Sequence, residues 1–574
     1  VWRARATDEA AVADMRARHG LSDFLARLMV GRGVSVEEAE VWLDPRLKTL
    51  FPDPSRFADM DRAVEVLVAA LQVGTPAAVF ADYDVDGATA SALLTRYFRA
   101  QGRELRLYVP DRLQEGYGPS PEAFARLQAQ GVELIITVDC GAAAYQALAA
   151  AQELGLRVVV LDHHLMQGAL PPAAALVNPN RPDDTSGCGY LAAAGVVYVL
   201  LAALNRHIRE GDTGLKECDI LPLLDLAAVG TICDVAPLKG LNRALVAAGL
   251  KTMARAPNLG LAMLARVAGL GQPKSSYHAG FMLGPRLNAG GRVGEAELAA
   301  RLLATDDEAE ALGIATRLHA FNEERKEIEA RILEDAIAQV EAKLARHPDL
   351  PLAFAASEGW HPGVIGIVAS RLKERFHRPS FVVGWGEGLG PTAKGSGRSV
   401  EGVNLGDAVA AVVRQGVLLS GGGHAMAAGA SLAPEAVGAF EAALAAELAV
   451  PYAGAGEART LWVDAVIGAG AATSALIAEM SRGAPYGAGS PEPVFVIPKV
   501  LVTGLKVLNG GHMRFTALDH EGGKLEAIAW RAADGPLGAA LASGGMVHLA
   551  GRLSEDSWNN RHRIQLEVID AAVL

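Results

Sequence analysis

A chain of 574 residues, 51% of them hydrophobic, can bury several separate cores and so calls for roughly three or four domains. An isoelectric point near 5.7 and a formal charge of −12 do not advertise a nucleic-acid binder, although a local basic groove can sit on an acidic body. The four cysteines, Cys140, Cys188, Cys218 and Cys233, form no CxxC pair and no regular framework, so a reduced, cytoplasmic setting is expected.

The N-terminal stretch VWRARATDEAAVADMRARHG is charged and lacks the apolar core of a secretory signal. Residues 1–51 are expected to form a helical cap. Residues 52–295 are expected to form the next domain, in which, from about residue 75, short β-branched runs alternate with longer helical ones: AAVFA (77–81), ELRLYVP (104–110), ELIITV (133–138) and LRVVVL (156–161). This βαβ series predicts a parallel sheet covered by helices, with reactive groups beyond the C-terminal strand ends. The longest apolar stretch, LAAAGVVYVLLAAL (191–204), falls short of the roughly 20 residues of a bilayer span. It reads as a buried helix, and no membrane association is expected.

Thr305 to Arg346 reads as one helix, with Thr305 and Glu308 as its capping box and Pro348 just beyond its end. Ile314, Leu318, Phe321, Ile328 and Ile332 form its apolar stripe. At 1.5 Å per residue it would reach about 60 Å, so residues 296–347 suit a connector between domains; pairing in a coiled coil is the alternative. A second, glycine-rich α/β segment (348–450) follows. After the loop AGAGEAR, residues 455–574 alternate strands with turn signals at Asn509-Gly510, Glu521-Gly522-Gly523 and Asn559-Asn560. That pattern suits a small β-barrel of the OB type.

The strand ends carry the chemistry. VFADYDVDGAT (79–89) places Asp82, Asp84 and Asp86 between a strand and a helix, the third strand ends in Asp139, and the fourth in Asp162, His163 and His164. LPLLDLAAVGTICDV adds Asp225, with Asp234 nine residues on. Taken singly, an aspartate after a strand is most often a helix cap. Several carboxylates crowded on one rim would raise one another's pKa unless cations neutralise them. Mixed Asp/His donors suit Mn²⁺ or Mg²⁺, and the lack of cysteine in the set argues against a structural zinc. The donors outnumber the needs of one ion, which points to two ions ~4 Å apart and to phosphoryl chemistry.

In the order ADYDVDG, VDCG, LDHH and DLAAVGTICDV the chain resembles the DHH phosphoesterase superfamily. VPDRLQEGYG, GPRLNAGGR, SEGWHPGVIGIVASRL, GSGRS and SGGGHAMAAG make it similar to the RecJ family of single-strand-specific exonucleases. The resemblance implies an α/β architecture: a parallel-sheet DHH domain and a DHH-associated α/β domain joined by the long helix, then an OB-fold barrel. It assigns Asp84, Asp86, Asp139, His163 and Asp225 as metal ligands, with Asp82 a further candidate. It places His164 beside the scissile phosphate as a catalytic group with Asp84 and Asp86, and Asp162 reads as an orienter of its neighbours. Substrate contacts would come from Arg112, Tyr117, Arg286, Asn288, Arg292, Ser370, Arg371, Ser396, Arg398 and His424. For Tyr117, stacking on a base and packing within its loop are equally open. In the barrel, Arg514, Phe515, Trp530, Arg552, Trp558, Arg561 and Arg563 interleave charge and aromatic rings, as strand binding requires, though barrel aromatics also serve as core.

The implied activity is a Mn²⁺- or Mg²⁺-dependent exonuclease on single-stranded DNA. It would work from the 5′ end with two ions, release 5′-mononucleotides, and act in DNA repair and recombination. The implied partners are a single-stranded-DNA-binding protein and other repair proteins, and the implied state is a monomer. A phosphodiesterase of short oligonucleotides or nucleotide second messengers is the alternative, and it would not need the barrel. A catalytically dead binding module would lack metal ligands, and none is missing from the motifs.

Overall fold

The run at 77–81 is apolar at every position, and all five side chains are buried, as a strand with helices on both faces requires. The structure is a computed structural model that describes residues 1–112, 115–166, 168–255, 257–386, 391–454, 460–556 and 563–574. Trp558, Arg561, the Asn559-Asn560 turn and residues 455–459 of the expected linker lie outside the described residues. The chain divides into two compact units. One comprises Pro52–Asp234 and Gly249–Ala458; the other comprises Val1–Phe51, Val235–Ala248 and Arg459–Leu574.

The first of these holds a five-stranded parallel sheet: β1 (Ala77–Ala81), β2 (Leu105–Tyr108), β3 (Leu134–Val138), β4 (Arg157–Leu161) and β5 (Ala175–Val177), in the order β2-β1-β3-β4-β5. Four of these strands follow the β-branched runs; β5 is three residues long, too short to stand out as a pattern. Around the sheet lie α1 (Val85–Ala100), α2 (Ala193–Glu210), α3 (Leu224–Cys233) and α4 (Gly284–Val293). Helix α2 is the predicted buried helix, and its first nine residues are all buried.

Helix α5 (Glu308–Arg346) runs for 39 residues, about 58 Å at 1.5 Å per residue. Its cap differs from the expected one: Asp307 accepts from Glu310 N at 2.7 Å, and Thr305 Oγ1 bonds the Glu310 carboxylate at 2.6 Å. Asp307 stands one residue before the helix, where a carboxylate can reach free N–H groups. The apolar stripe is covered within the unit rather than by a second long helix. Leu318 meets the region of Gly290, and Ile332, Ala336 and Val340 join Val364, Ile365 and Val368 of α6 (Pro362–Phe376) in one cluster.

A second sheet orders the strands Ser420–His424, Ala427–Leu432, Ala393–Arg398, Ser380–Trp385 and Ala353–Glu358. The span Pro434–Ala453 is long and apolar enough by composition to cross a membrane. Its hydropathy comes largely from alanine, and Phe440, Leu444 and Leu448 are buried against Phe354 and Phe381 in the core of this domain.

In the other unit, Phe495–Leu508, His512–Leu518, Lys524–Ala529, Arg563–Val573 and Met546–Asp556 pair in that order, and the last pairs back to the first, closing a five-stranded barrel. Gly510 and Gly522 turn two of its hairpins with positive φ. The N-terminal residues belong to this body: Trp2–Ala4 pairs in parallel with Leu461–Val463, and Phe24 stacks on Phe495 at 5.5 Å. Arg243 ties the three stretches together. Its guanidinium donates to the carbonyls of Trp42, Pro485, Gly483 and Ala484 and lies 4.0 Å from the Trp42 ring centroid.

Candidate metal centre and substrate cleft

The chain steps from β1 outward to β2 and then back across to β3, so strand order reverses between β1 and β3. The crevice beyond such a reversal is where open α/β sheets bind ligands. Three acids extend the ladder by one residue there: Asp82 N bonds Val138 O, Asp139 N bonds Leu161 O, and Asp162 N bonds Val177 O, at 3.0–3.3 Å. Asp139 does so with φ of +59°, a strained backbone of the kind that clusters at functional sites.

Asp84 caps α1, accepting from Asp86 N and Gly87 N at 2.8 and 3.1 Å. Asp86 accepts from Ala193 N and Ala194 N at the start of α2, at 2.6 and 2.9 Å. Both carboxylates therefore meet helix N-termini, whose partial positive charge favours them. Gly87 serves close approach: a Cβ there would stand 2.4 Å from Asp82 O. Gly291 on α4 does the same from the other side, 2.6 Å from Tyr83 O.

Donor atoms gather in three overlapping groups, each within 4.8 Å: Asp82, Asp84 and Asp139; Asp86, His163 and Asp234; Asp139, His163 and His164. His163 Nε2 lies 3.1 Å from Asp139 and 3.8 Å from Asp86, and its Nδ1 lies 3.9 Å from Asp234. Burial and the neighbouring Asp84 push Asp82 up to about 8 and Asp234 up to about 7. Burial with repulsion from their neighbours holds Asp86 and Asp139 well above the carboxylate range. His163 is driven down to about 4 by burial and by His164, leaving a neutral imidazole. Asp82 Oδ1 is buried with no hydrogen-bond partner among the described residues. Five mutually repelling carboxylates, one with an orphaned oxygen, beside a neutral imidazole are a donor set that fits two hard divalent cations.

Asp162 stands apart from these groups. Burial alone would raise its pKa, yet the His164 ring bonded to it at 2.7 Å holds it below the usual range. In return, against the cost of burial, Asp162 lifts His164 to about 9. Tyr117 donates to Asp139 O at 3.1 Å, and its ring meets the His164 ring edge to face at 5.9 Å.

Asp225 does not reach this centre. It sits in the first turn of α3, fully buried, and its oxygens accept from Leu226 N and Asn258 N at 2.8 and 2.6 Å. Asp234, at the other end of the same helix, occupies the place expected of it. Arg286 also turns inward, bonding Met282 O at 2.6 Å and His319 at 3.2 Å. Arg371 faces Glu329 and Glu374, and Ser370 bonds back to Gly366 O. His424 ends the exposed strand Ser420–His424, and Asn288 is half-buried on α4.

An open cleft of about 310 Å³ is lined by Tyr83, Arg112 and Tyr117 on one side and by Lys394, Ser396, Ser420 and Ser431 on the other. The Arg112 guanidinium lies 5.2 Å from the Tyr83 ring centroid. Arg398 bonds Ser396 Oγ at 3.2 Å. Burial and the charges of Arg112, Arg325 and Arg398 pull Arg292 down to about 10, and Asp84 opposes them. Sequence reasoning missed Tyr83, Lys394, Ser420 and Ser431; the first three adjoin or lie within a quoted motif, and Ser431 stands two residues beyond SGGGHAMAAG.

Residues 76–231 match the DHH family, N-terminal domain, residues 349–449 the DHHA1 domain, and residues 463–570 the RecJ OB domain. The single-stranded-DNA-specific exonuclease RecJ of Bacillus subtilis (strain 168) is 33% identical over 577 residues, covering 100% of this chain and 71% of its own. The chain belongs to the RecJ family. RecJ of Escherichia coli (strain K12) is 37% identical over 517 residues, covering 86% of this chain and 85% of its own. The crystal structure of RecJ from Thermus thermophilus in complex with Mn²⁺ superposes with a TM-score of 0.80 at 31% identity, covering 100% of this chain and 79% of that one. The Mg²⁺ complex of the same protein gives 0.74. Both RecJ complexes hold ions of the class that this donor set fits.

Proposed function

We propose that this chain is a metal-dependent exodeoxyribonuclease that degrades single-stranded DNA from the 5′ end and releases 5′-mononucleotides. The observation that carries the reading is the metal-type centre at the strand reversal, placed in one unit with a cationic, hydroxyl-lined cleft. Asp82, Asp84, Asp86, Asp139, Asp234 and His163 would hold two Mn²⁺ or Mg²⁺ ions. When bound, such ions supply Lewis-acid activation and neutralise charge on the phosphoryl group.

The protein's own groups do the rest. His164, bonded to Asp162 at 2.7 Å, would stabilise charge on the phosphodiester or pass it a proton. Tyr117 holds its hydroxyl against the Asp139 carbonyl and its ring toward the strand. Arg112, Arg292 and Arg398, with Lys394 and Ser396, grip phosphate oxygens, and the barrel adds a strand-binding surface of its own. The barrel domain sets this reading above a phosphodiesterase of short oligonucleotides, and the full set of candidate ligands sets it above an inert binding module.

We place the enzyme in the cytoplasm as a monomer, serving DNA repair and recombination alongside a single-stranded-DNA-binding protein. The test is degradation of 5′- and 3′-labelled strands in Mn²⁺. The 5′ label is expected to appear first as a mononucleotide, with duplex resistant and Asp139→Ala inactive. Release from the 3′ end, internal cuts or full activity of Asp139→Ala would overturn it.

A further inference from the structure

The six residues His278–Leu283 wind as a π-helix that leads directly into α4. Such wide turns are rare and recur at functional sites. Ala279 and Leu283 are buried, whereas Tyr277 and Phe281 are 60% and 71% exposed. Their rings stack on each other with centroids 5.4 Å apart and planes 22° from parallel. A lone exposed aromatic needs no explanation, but two large rings stacked in water present a flat π surface that the fold itself does not cover.

The backing of this turn fixes the helix on which it is seated. Cys233 Sγ reaches Ala279 O at 3.7 Å. A Cβ on Gly280 would stand 3.1 Å from Ile232 Cγ2, and one on Gly284 would stand 2.7 Å from Cys233 Sγ. The π turn is therefore seated on the last turn of α3, and the next residue of that helix end is Asp234, a member of the metal centre. The neighbours of the two rings in sequence are Lys274, Ser275, Ser276 and His278. Those are cationic and polar groups, whereas the core of a protein-docking patch is depleted of charge.

We propose that Tyr277 and Phe281 form a stacking platform for the bases of the single strand beside the metal centre. A nucleobase is a flat π layer, and every base has such a face, so the contact grips the strand without reading sequence. Lys274 supplies a cation for the linking phosphate. The inference rests on the exonuclease reading and adds to it a binding site on the DHH side of the unit, distinct from the cleft walls.

The test is steady-state KM in Mn²⁺ on a thymidine homopolymer and on a strand of equal length whose interior nucleotides are abasic. The double variant Tyr277→Ala/Phe281→Ala is expected to raise KM on the homopolymer by roughly tenfold. KM on the abasic strand is expected to move less than about twofold. Tyr277→Phe/Phe281→Tyr, which keeps both rings, is expected to retain the preference for bases, and Tyr277→Leu/Phe281→Leu, which keeps apolar bulk alone, to lose it. Equal rises on both strands, unchanged KM on both, or full preference in the leucine variant would overturn the platform. A wild-type chain that degrades neither strand would instead overturn the exonuclease reading beneath it.

Discussion

Asp225 and Asp234 stand at opposite ends of α3, and replacing each by alanine should give opposite signatures. Asp225→Ala removes the acceptor of two backbone N–H groups, bonded at 2.8 and 2.6 Å. A buried donor left unpaired costs about 1–3 kcal/mol. Burial already holds the Asp225 carboxyl up at about 6, which offsets part of that loss. The net should be a destabilisation of about 3 kcal/mol with Mn²⁺ affinity nearly unchanged. Asp234→Ala removes a charge that burial and Asp84 oppose, and no hydrogen bond to its carboxylate is found among the described residues. The metal-free protein should therefore be as stable as the parent or more so. Its Mn²⁺ affinity should fall by at least the roughly 10- to 100-fold that loss of even an outer partner costs. Titration calorimetry with Mn²⁺ and urea unfolding of the metal-free protein measure the two axes independently. Loss of Mn²⁺ binding in Asp225→Ala without loss of stability, or native affinity in Asp234→Ala, would refute the reasoning.

Stability should depend on pH in a direction set by the metal centre. The carboxyls of Asp82 and Asp234 have folded pKa values of about 8 and 7 against an ordinary 3.8, so the metal-free folded state keeps protons that the unfolded chain has released. Their contribution is fully present below about pH 4 and is lost as pH rises through 7 to 8. Because metal binding needs the ionised carboxylates, the rise in Tm caused by Mn²⁺ should be larger at about pH 8 than at about pH 5.5, and a pH-independent shift would contradict this. Gly87→Ala should cost about 1–3 kcal/mol and most of the activity, since its Cβ would meet the Asp82 backbone at 2.4 Å; unfolding curves and turnover check both. Arg243→Met should destabilise by about 3–5 kcal/mol, because four carbonyls lose a charged donor. Limited proteolysis should then open residues 1–51 and the barrel together.

Much of the centre was legible because its parts are local. Strand ends in a βαβ series must share one rim, so Asp82, Asp139 and His163 converge whatever else the chain does. The choice between Asp225 and Asp234 was not local. Nine residues on a helix separate them by about 13 Å, so only one end can reach the rim, and tertiary packing alone decides which. An acid in an apolar run drew attention to Asp225, yet its burial reflects two backbone hydrogen bonds. The cap of α5 slipped by two residues because Thr305 and Asp307 both suit the role. The association of residues 1–51 with the barrel left no sequence pattern, since it depends on contacts such as Phe24 with Phe495, far apart along the chain.

That association has a consequence for synthesis. The unit built from Val1–Phe51, Val235–Ala248 and Arg459–Leu574 cannot close until the last stretch has left the ribosome. At about 5–20 residues per second, the N-terminal helices wait roughly half a minute to two minutes for their barrel. Over that interval the side of Phe24 that will meet Phe495 has no partner from the barrel, and apolar surface left uncovered in this way is prone to aggregate.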